Sequence, residues 1–122
     1  YFAARVIIEE IEAASFKIDA LRVCGGQSRT AAFNQLRADV TGRSVLVPEI
    51  VEAELLGCAC IALVAQGEFQ DLAEAAEKCV KFHPPLKPNR RYASLYQDLF
   101  ELFKGSYLQL KGIFDNLDNP DS

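Results

Sequence analysis

Leu21-Arg22-Val23-Cys24-Gly25-Gly26-Gln27-Ser28-Arg29-Thr30-Ala31-Ala32-Phe33-Asn34 changes character twice within fourteen residues. Leu21–Cys24 reads as a short strand, and Gly25-Gly26 ends it. Ser28 or Thr30 is then placed to cap a helix running to about Val40, which Thr41-Gly42 closes because glycine takes positive φ without a Cβ clash. Ser44-Val45-Leu46-Val47 reads as a second strand, terminated by Pro48. Strand, helix and strand in this order predict an α/β layer with residues 21–24 and 44–47 in one sheet.

Working outward from this unit, residues 2–15 form a helical repeat that places Phe2, Val6, Ile7, Ile11 and Ala14 on one face, with Arg5 and Glu9 spaced for an ion pair. Downstream, Glu49–Ala65 reads as a helix apolar nearly all round, which predicts burial between other elements. Its small residues, Gly57-Cys58-Ala59-Cys60, predict the close approach of a neighbour, either a packed helix or a ligand. A further helix is expected near Asp71–Val80 after the Gln66-Gly67 break, and Phe82-His83-Pro84-Pro85 must be extended. Tyr92, Leu95, Tyr96, Leu99, Phe103 and Tyr107 recur at helical spacing, so a closing helix over 90–116 is expected to dock by that face. The polar tail after Asn116 is expected to fray.

Composition bounds the rest. At 122 residues, half of them apolar, the chain suits one domain with a real core. The net charge of −4 and the absence of a basic run (Arg90-Arg91 being the one adjacent pair) argue against nucleic acid as a partner. The four cysteines, at 24, 58, 60 and 79, lack zinc-ligand spacing and read as buried free thiols of a reducing, cytoplasmic compartment. The apolar run Leu55–Ala65 is too short to cross a bilayer, so no membrane partner is expected. The opening Tyr-Phe-Ala-Ala-Arg already reads as mid-helix, which suggests a piece of something larger.

Chemistry-bearing residues are sparse. The single histidine, His83, precedes Pro84-Pro85 and reads as a loop residue, while Glu49, Glu52 and Glu54 suit a helix dipole. The Gly-Gly turn is the one segment built for a ligand. A helix N-terminus offers unpaired N–H groups, and adjacent glycines let backbone approach an anion such as a phosphate or the ribose–phosphate edge of a nucleotide. It matches neither the P-loop nor the dinucleotide fingerprint, and on local physics alone a Gly-Gly turn between strand and helix is more often simply a turn.

The stretch from Leu21 to Arg43 resembles the FGGY carbohydrate kinases: a strand, a Gly-Gly turn, a hydroxyl residue, an aromatic, then Gln35 and Ala38-Asp39 before the closing Gly42. Val47-Pro48-Glu49 through Glu52-Ala53 to Leu56-Gly57-Cys58-Ala59 looks like that family's V-P-E, E-A and L-G-A-A blocks. Arg5 to Glu9 is similar to its preceding R-A-V-L-E helix, and the Tyr-rich closing helix also matches. Gln27 stands where a third glycine or alanine is common, and Glu10 where a small residue is. The seven-residue step from Gly26 to Phe33 looks more like pentulose (xylulose-type) members than glycerol kinase.

The resemblance implies that residues 1–122 are the C-terminal part of an actin-like (ribonuclease H-like) ATPase domain, helix-rich with a short sheet. It implies ATP and Mg²⁺ as cofactors, a sugar substrate held mostly by an N-terminal domain, and an upstream aspartate as base. Gly25, Gly26 and Gln27 would meet the nucleotide phosphates or ribose, and Thr30 and Asn34 the adenine side. On this reading the chain alone is inactive, and a homodimer is among the expected assemblies. The competing expectations are a non-catalytic α/β interaction module, in which the Gly-Gly turn is only structural, and another actin-like ATPase.

Overall fold

The structure, a computed structural model, describes the backbone of residues 1–118 and the side chains through Phe114. Its order is α1 (Phe2–Ala13), β1 (Ala20–Arg22), a 3₁₀ turn (Gly26–Arg29), α2 (Ala31–Thr41), β2 (Ser44–Leu46), α3 (Ala53–Ala65), α4 (Leu72–Cys79), a second 3₁₀ turn (Arg90–Tyr92) and α5 (Ala93–Asp118). The tail expected to fray lies largely outside the described residues.

β1 and β2 are parallel, with Ala20 beside Ser44, Leu21 beside Val45 and Arg22 beside Leu46. Parallel neighbours need a crossover, and α2 supplies it. Gly42, at φ 67°, closes α2 in the left-handed conformation that its sequence position anticipates. The far edge of β2 is also occupied. Val45 and Leu86 exchange both backbone hydrogen bonds, at 2.9 and 3.0 Å, and His83 N–H donates to Val47 O at 2.9 Å. Residues 81–86 thus run antiparallel along β2 as its cover, a role beyond the simple extension that the prolines dictate.

The core lies where α1, α2 and α5 meet the sheet. Phe100 and Val45 are its largest fully buried side chains. Phe2 packs on Phe100 with ring centroids 5.9 Å apart, and the Arg5 guanidinium lies 4.2 Å from the Phe100 centroid. Arg5 also donates to Val40 O at 3.4 Å, to Glu9 at 3.2 Å and to Gln97, so one cation joins three helices. Arg43 Nη2 reaches both carboxylate oxygens of Glu12 at 2.5 Å and ties the end of α2 to α1.

Several expectations of facing need correction. On α1 Phe2 and Val6 of the expected face turn inward, together with Arg5, Ile8 and Glu12, whereas Ile7 is 60% exposed and Ile11 and Ala14 are exposed too. On α5 the docked residues are Tyr96, Phe100 and Lys104; Tyr96 belongs to the predicted stripe, and Phe103 of that stripe packs on Phe2 with ring centroids 5.6 Å apart, whereas Leu95, Leu99 and Tyr107 face outward. α3 begins at Ala53, four residues after the expected Glu49, and is not buried: Leu55 is 70% and Ile61 58% exposed, and only Cys60 is fully inside. α4 covers one side of α3, and a helix apolar all round carries no sequence signal of which side that is. Nor does a neighbour press on Gly57, since a Cβ built there meets nothing within 4 Å. Of the four free thiols, Cys60 is buried and Cys79 half-buried, while Cys24 and Cys58 are exposed. Among the described residues no helix is long and apolar enough to cross a membrane.

Candidate functional site

β1 delivers the chain to the Gly-Gly turn. Val23 N–H extends the ladder to Leu46 O at 3.1 Å, and Gly25 N–H then donates to Val51 O at 3.0 Å. Gly25 has φ 77° and ψ −176°, a conformation essentially confined to glycine. The positive φ sits here and not at Gly26. The chain reverses into the 3₁₀ turn, and both Ser28 N–H (3.0 Å) and Ser28 Oγ (2.6 Å) donate to Gly25 O.

α2 begins immediately afterwards. Thr30 occupies the N-cap position with extended backbone, and its carbonyl accepts from the amides of Phe33 (3.1 Å) and Asn34 (3.2 Å). Its hydroxyl makes no cap bond, and Ser28 spends its own on Gly25. Neither expected side-chain cap is therefore made. Asn34, on the next turn, is 2% exposed; its Nδ2 donates to Ser28 O at 2.6 Å and its Oδ1 accepts from Arg37 Nη1 at 3.3 Å.

The five residues read from the sequence are therefore contiguous in space but differ in access. Gly26, Gln27 and Thr30 are exposed, Gly25 is half-buried and Asn34 is buried. A Cβ built on either glycine meets nothing within 4 Å, so the approach to the turn is open. Beside it lies a crevice of about 270 Å³ lined by Ser28, Arg29, Asn34, Pro48, Glu49 and His83 among others. The loops leaving the carboxyl ends of β1 and β2 both border it. Those ends are where open parallel sheets hold ligands.

Arg29 and His83 were not singled out in the sequence as parts of this site. Arg29 pairs with Glu52 at the foot of α3, and an arginine three residues beyond the Gly-Gly pair was the available signal. His83 reaches the crevice only because residues 81–86 fold back along β2, which no local motif announces. Gln35 and Asp39 face away from the crevice. Gln35 Nε2 donates to Asp39 Oδ1 (2.8 Å) and Lys87 O (2.9 Å), and Asn89 N–H donates to Asp39 (2.7 Å), so this part of the motif staples the lead-in to α5. A second, almost wholly apolar crevice of about 420 Å³ opens between β1, α3 and α4.

Residues 1–66 match the family model described as the FGGY family of carbohydrate kinases, C-terminal domain. The autoinducer-2 kinase of Klebsiella pneumoniae is 35% identical over 98 residues, covering 80% of this chain and 18% of that protein. The human FGGY carbohydrate kinase domain-containing protein is 35% identical over 99 residues, 81% of this chain and 18% of its own. The ligand-bound xylulose kinase of Lactobacillus acidophilus superposes with a TM-score of 0.68 at 25% identity, over 87% of this chain and 23% of that one. The xylulose kinase of Rhodospirillum rubrum shares the fold, with a TM-score of 0.72 at 20% identity over 93% of this chain and 23% of its own. The chain thus spans about a fifth of the length of the proteins it matches.

Proposed function

The chain belongs to the FGGY family of carbohydrate kinases, and on that premise we propose that it forms the nucleotide side of a site that moves the γ-phosphoryl group of ATP to a sugar hydroxyl. The observation that carries this reading is the open Gly25–Gly26 turn, set beside a crevice at the carboxyl ends of two parallel strands. Kinship of this breadth favours a kinase over a non-catalytic interaction module. In such a transfer the hydroxyl oxygen forms a bond to the γ-phosphorus, the bridge to the β-phosphate breaks, ADP leaves, and a base takes the hydroxyl proton. Little covalent work falls to the protein, whose part is positioning and charge stabilisation.

The backbone N–H groups of Gly26 and Gln27 meet phosphate or ribose oxygens. Gly25 gives the turn its shape, and Thr30, with its hydroxyl free of capping, and Asn34 lie on the adenine side. Among the described residues no three His, Cys, Asp or Glu side chains converge to hold a cation. No residue here is therefore assigned to the Mg²⁺ that such kinases use with ATP. The base, the metal ligands and the sugar-selecting groups belong to sequence outside these 122 residues. A cytoplasmic setting and a pentulose-like substrate complete the proposal, the latter supported by the likeness to a xylulose kinase.

The test is ADP titration of wild type beside Gly26→Val, by calorimetry or ligand-detected NMR. A half-site that leaves much of the nucleotide in water should bind with a dissociation constant of roughly millimolar to high micromolar. Gly26→Val should lose that binding while melting as wild type does, because its Cβ enters open space. Equal ADP affinity in both proteins would reduce the Gly-Gly turn to a turn.

A further inference from the structure

Asn34 has the chemistry of a nucleobase ligand but not the exposure of one. It is 2% exposed, and both of its polar atoms are engaged by protein groups. Its amide donates to the carbonyl of Ser28 at 2.6 Å, and Ser28 in turn directs both its N–H and its hydroxyl at the carbonyl of Gly25. A chain of hydrogen bonds therefore runs from the second turn of α2 into the peptide group that joins Gly25 to Gly26.

That peptide group is planar and trans, as are all those described. In a trans peptide the C=O and the following N–H point to opposite sides. With the Gly25 carbonyl held by two donors from Ser28, the Gly26 N–H points the opposite way, out of the 3₁₀ turn. Gly25 N–H, in the preceding peptide group, is fixed independently on Val51 O at 3.0 Å, so the peptide groups on both sides of the Gly25 Cα are held. Glycine alone accepts the resulting φ of 77° and ψ of −176°, and glycine has no side chain of its own to hold that geometry. The holding must come from neighbours, and these bonds supply it.

We infer that Asn34 is a positioning residue: acting through Ser28, it aims the Gly26 N–H at an anionic oxygen of the bound nucleotide and does not read the base itself. The inference rests on the nucleotide reading above and reassigns one of its residues from contact to support.

The test uses the full chain with Asn34→Leu, which keeps the branching of the side chain and removes its donor and acceptor, Ser28→Ala, and the double variant. ADP and GDP affinities are measured by calorimetry, and the Gly26 amide is followed by ¹⁵N NMR. Each single change should weaken ADP about tenfold, the equivalent of one lost hydrogen bond. The double variant should be little worse than either single, because both changes cut one chain of bonds. The ratio of ADP to GDP affinity should stay that of wild type, and the Gly26 amide resonance should move alike in both singles. An altered ADP-to-GDP ratio would mean direct base contact and would overturn the inference. So would a lowered melting temperature with unchanged ADP affinity, or fully additive losses. Should wild type bind no ADP, the nucleotide reading falls. The Gly26 amide then decides what remains: a common displacement upholds the aiming, and no displacement refutes it.

Discussion

Gly25→Ala separates backbone strain from every other contribution at the turn. The new methyl group meets no heavy atom within 4 Å, so neither overpacking nor a lost contact enters. What remains is the torsional cost of holding an L-residue at φ 77°, ψ −176°, about 1–3 kcal/mol for such a region. A chain of 122 residues has an unfolding entropy of roughly 0.25 kcal/mol per degree, so the melting temperature should fall by about 4–12 °C. Gly26→Ala, at a position without positive φ, should shift it by no more than about 2 °C. Scanning calorimetry on the two variants reads the difference directly. Should Gly25→Ala melt with wild type, the positive φ is not enforced by the fold, and the ordered turn from which the nucleotide reading starts would be refuted.

The Glu12–Arg43 pair sets a pH window. The hydrogen bond from Arg43 is the main cause holding the Glu12 carboxyl below its ordinary value, ahead of the partial desolvation that opposes it. A depressed acid contributes stability that is present above its unfolded value of about 4.3 and lost as pH falls through the folded one. Glu12→Gln should therefore melt below wild type at pH 7 and converge with it as pH falls below the ordinary carboxylate range; a gap independent of pH would exclude the ion pair as its cause. The apolar faces left open by α3 and by the groove between α1 and α5, where Ile7, Tyr107 and Leu108 are exposed, should drive self-association at high concentration. Light scattering that stays monomeric into the millimolar range would count against those faces as buried surfaces of a larger assembly.

Local chemistry made the middle of the chain legible. Gly42 after Thr41, Pro48 after the second strand and Asp71 at the head of α4, where its side chain accepts from Glu74 N–H at 2.9 Å, are punctuation with a mechanical reason. Facing was not legible where apolar residues exceed what one side of a helix can bury. On α1 and α5 only part of each apolar stripe turns inward, and the rest of the contact is made by Arg5 lying over Phe100. No hydrophobic period encodes a guanidinium on a ring. The Gly-Gly turn could be found as a motif, but the burial of Asn34 could not. It depends on the 3₁₀ turn folding back over α2, a tertiary fact written in no spacing. His83 arrived for a similar reason, carried to the crevice by an antiparallel segment that two prolines would ordinarily keep out of a sheet.

The pairing of α3 with α4 has a consequence for how the molecule breathes. These two helices pack chiefly on each other; beyond the hairpin they are tied down at the foot of α3 by the loop that brings Val51 O to Gly25 N–H and by the Arg29–Glu52 pair, and after α4 by residues 81–86 along β2. Such a hairpin is a cooperative unit that can open without unfolding the rest, with a free energy well short of the global one. Its amides should exchange as a block, ahead of those in α2 and at the Phe100 core. Because its foot is also the backbone clasp of the Gly-Gly turn, each opening would release one end of that turn while the other stays latched from α2. The turn's rigidity is then a dynamic quantity, set on one side by a static helix and on the other by the closing rate of a loosely held hairpin.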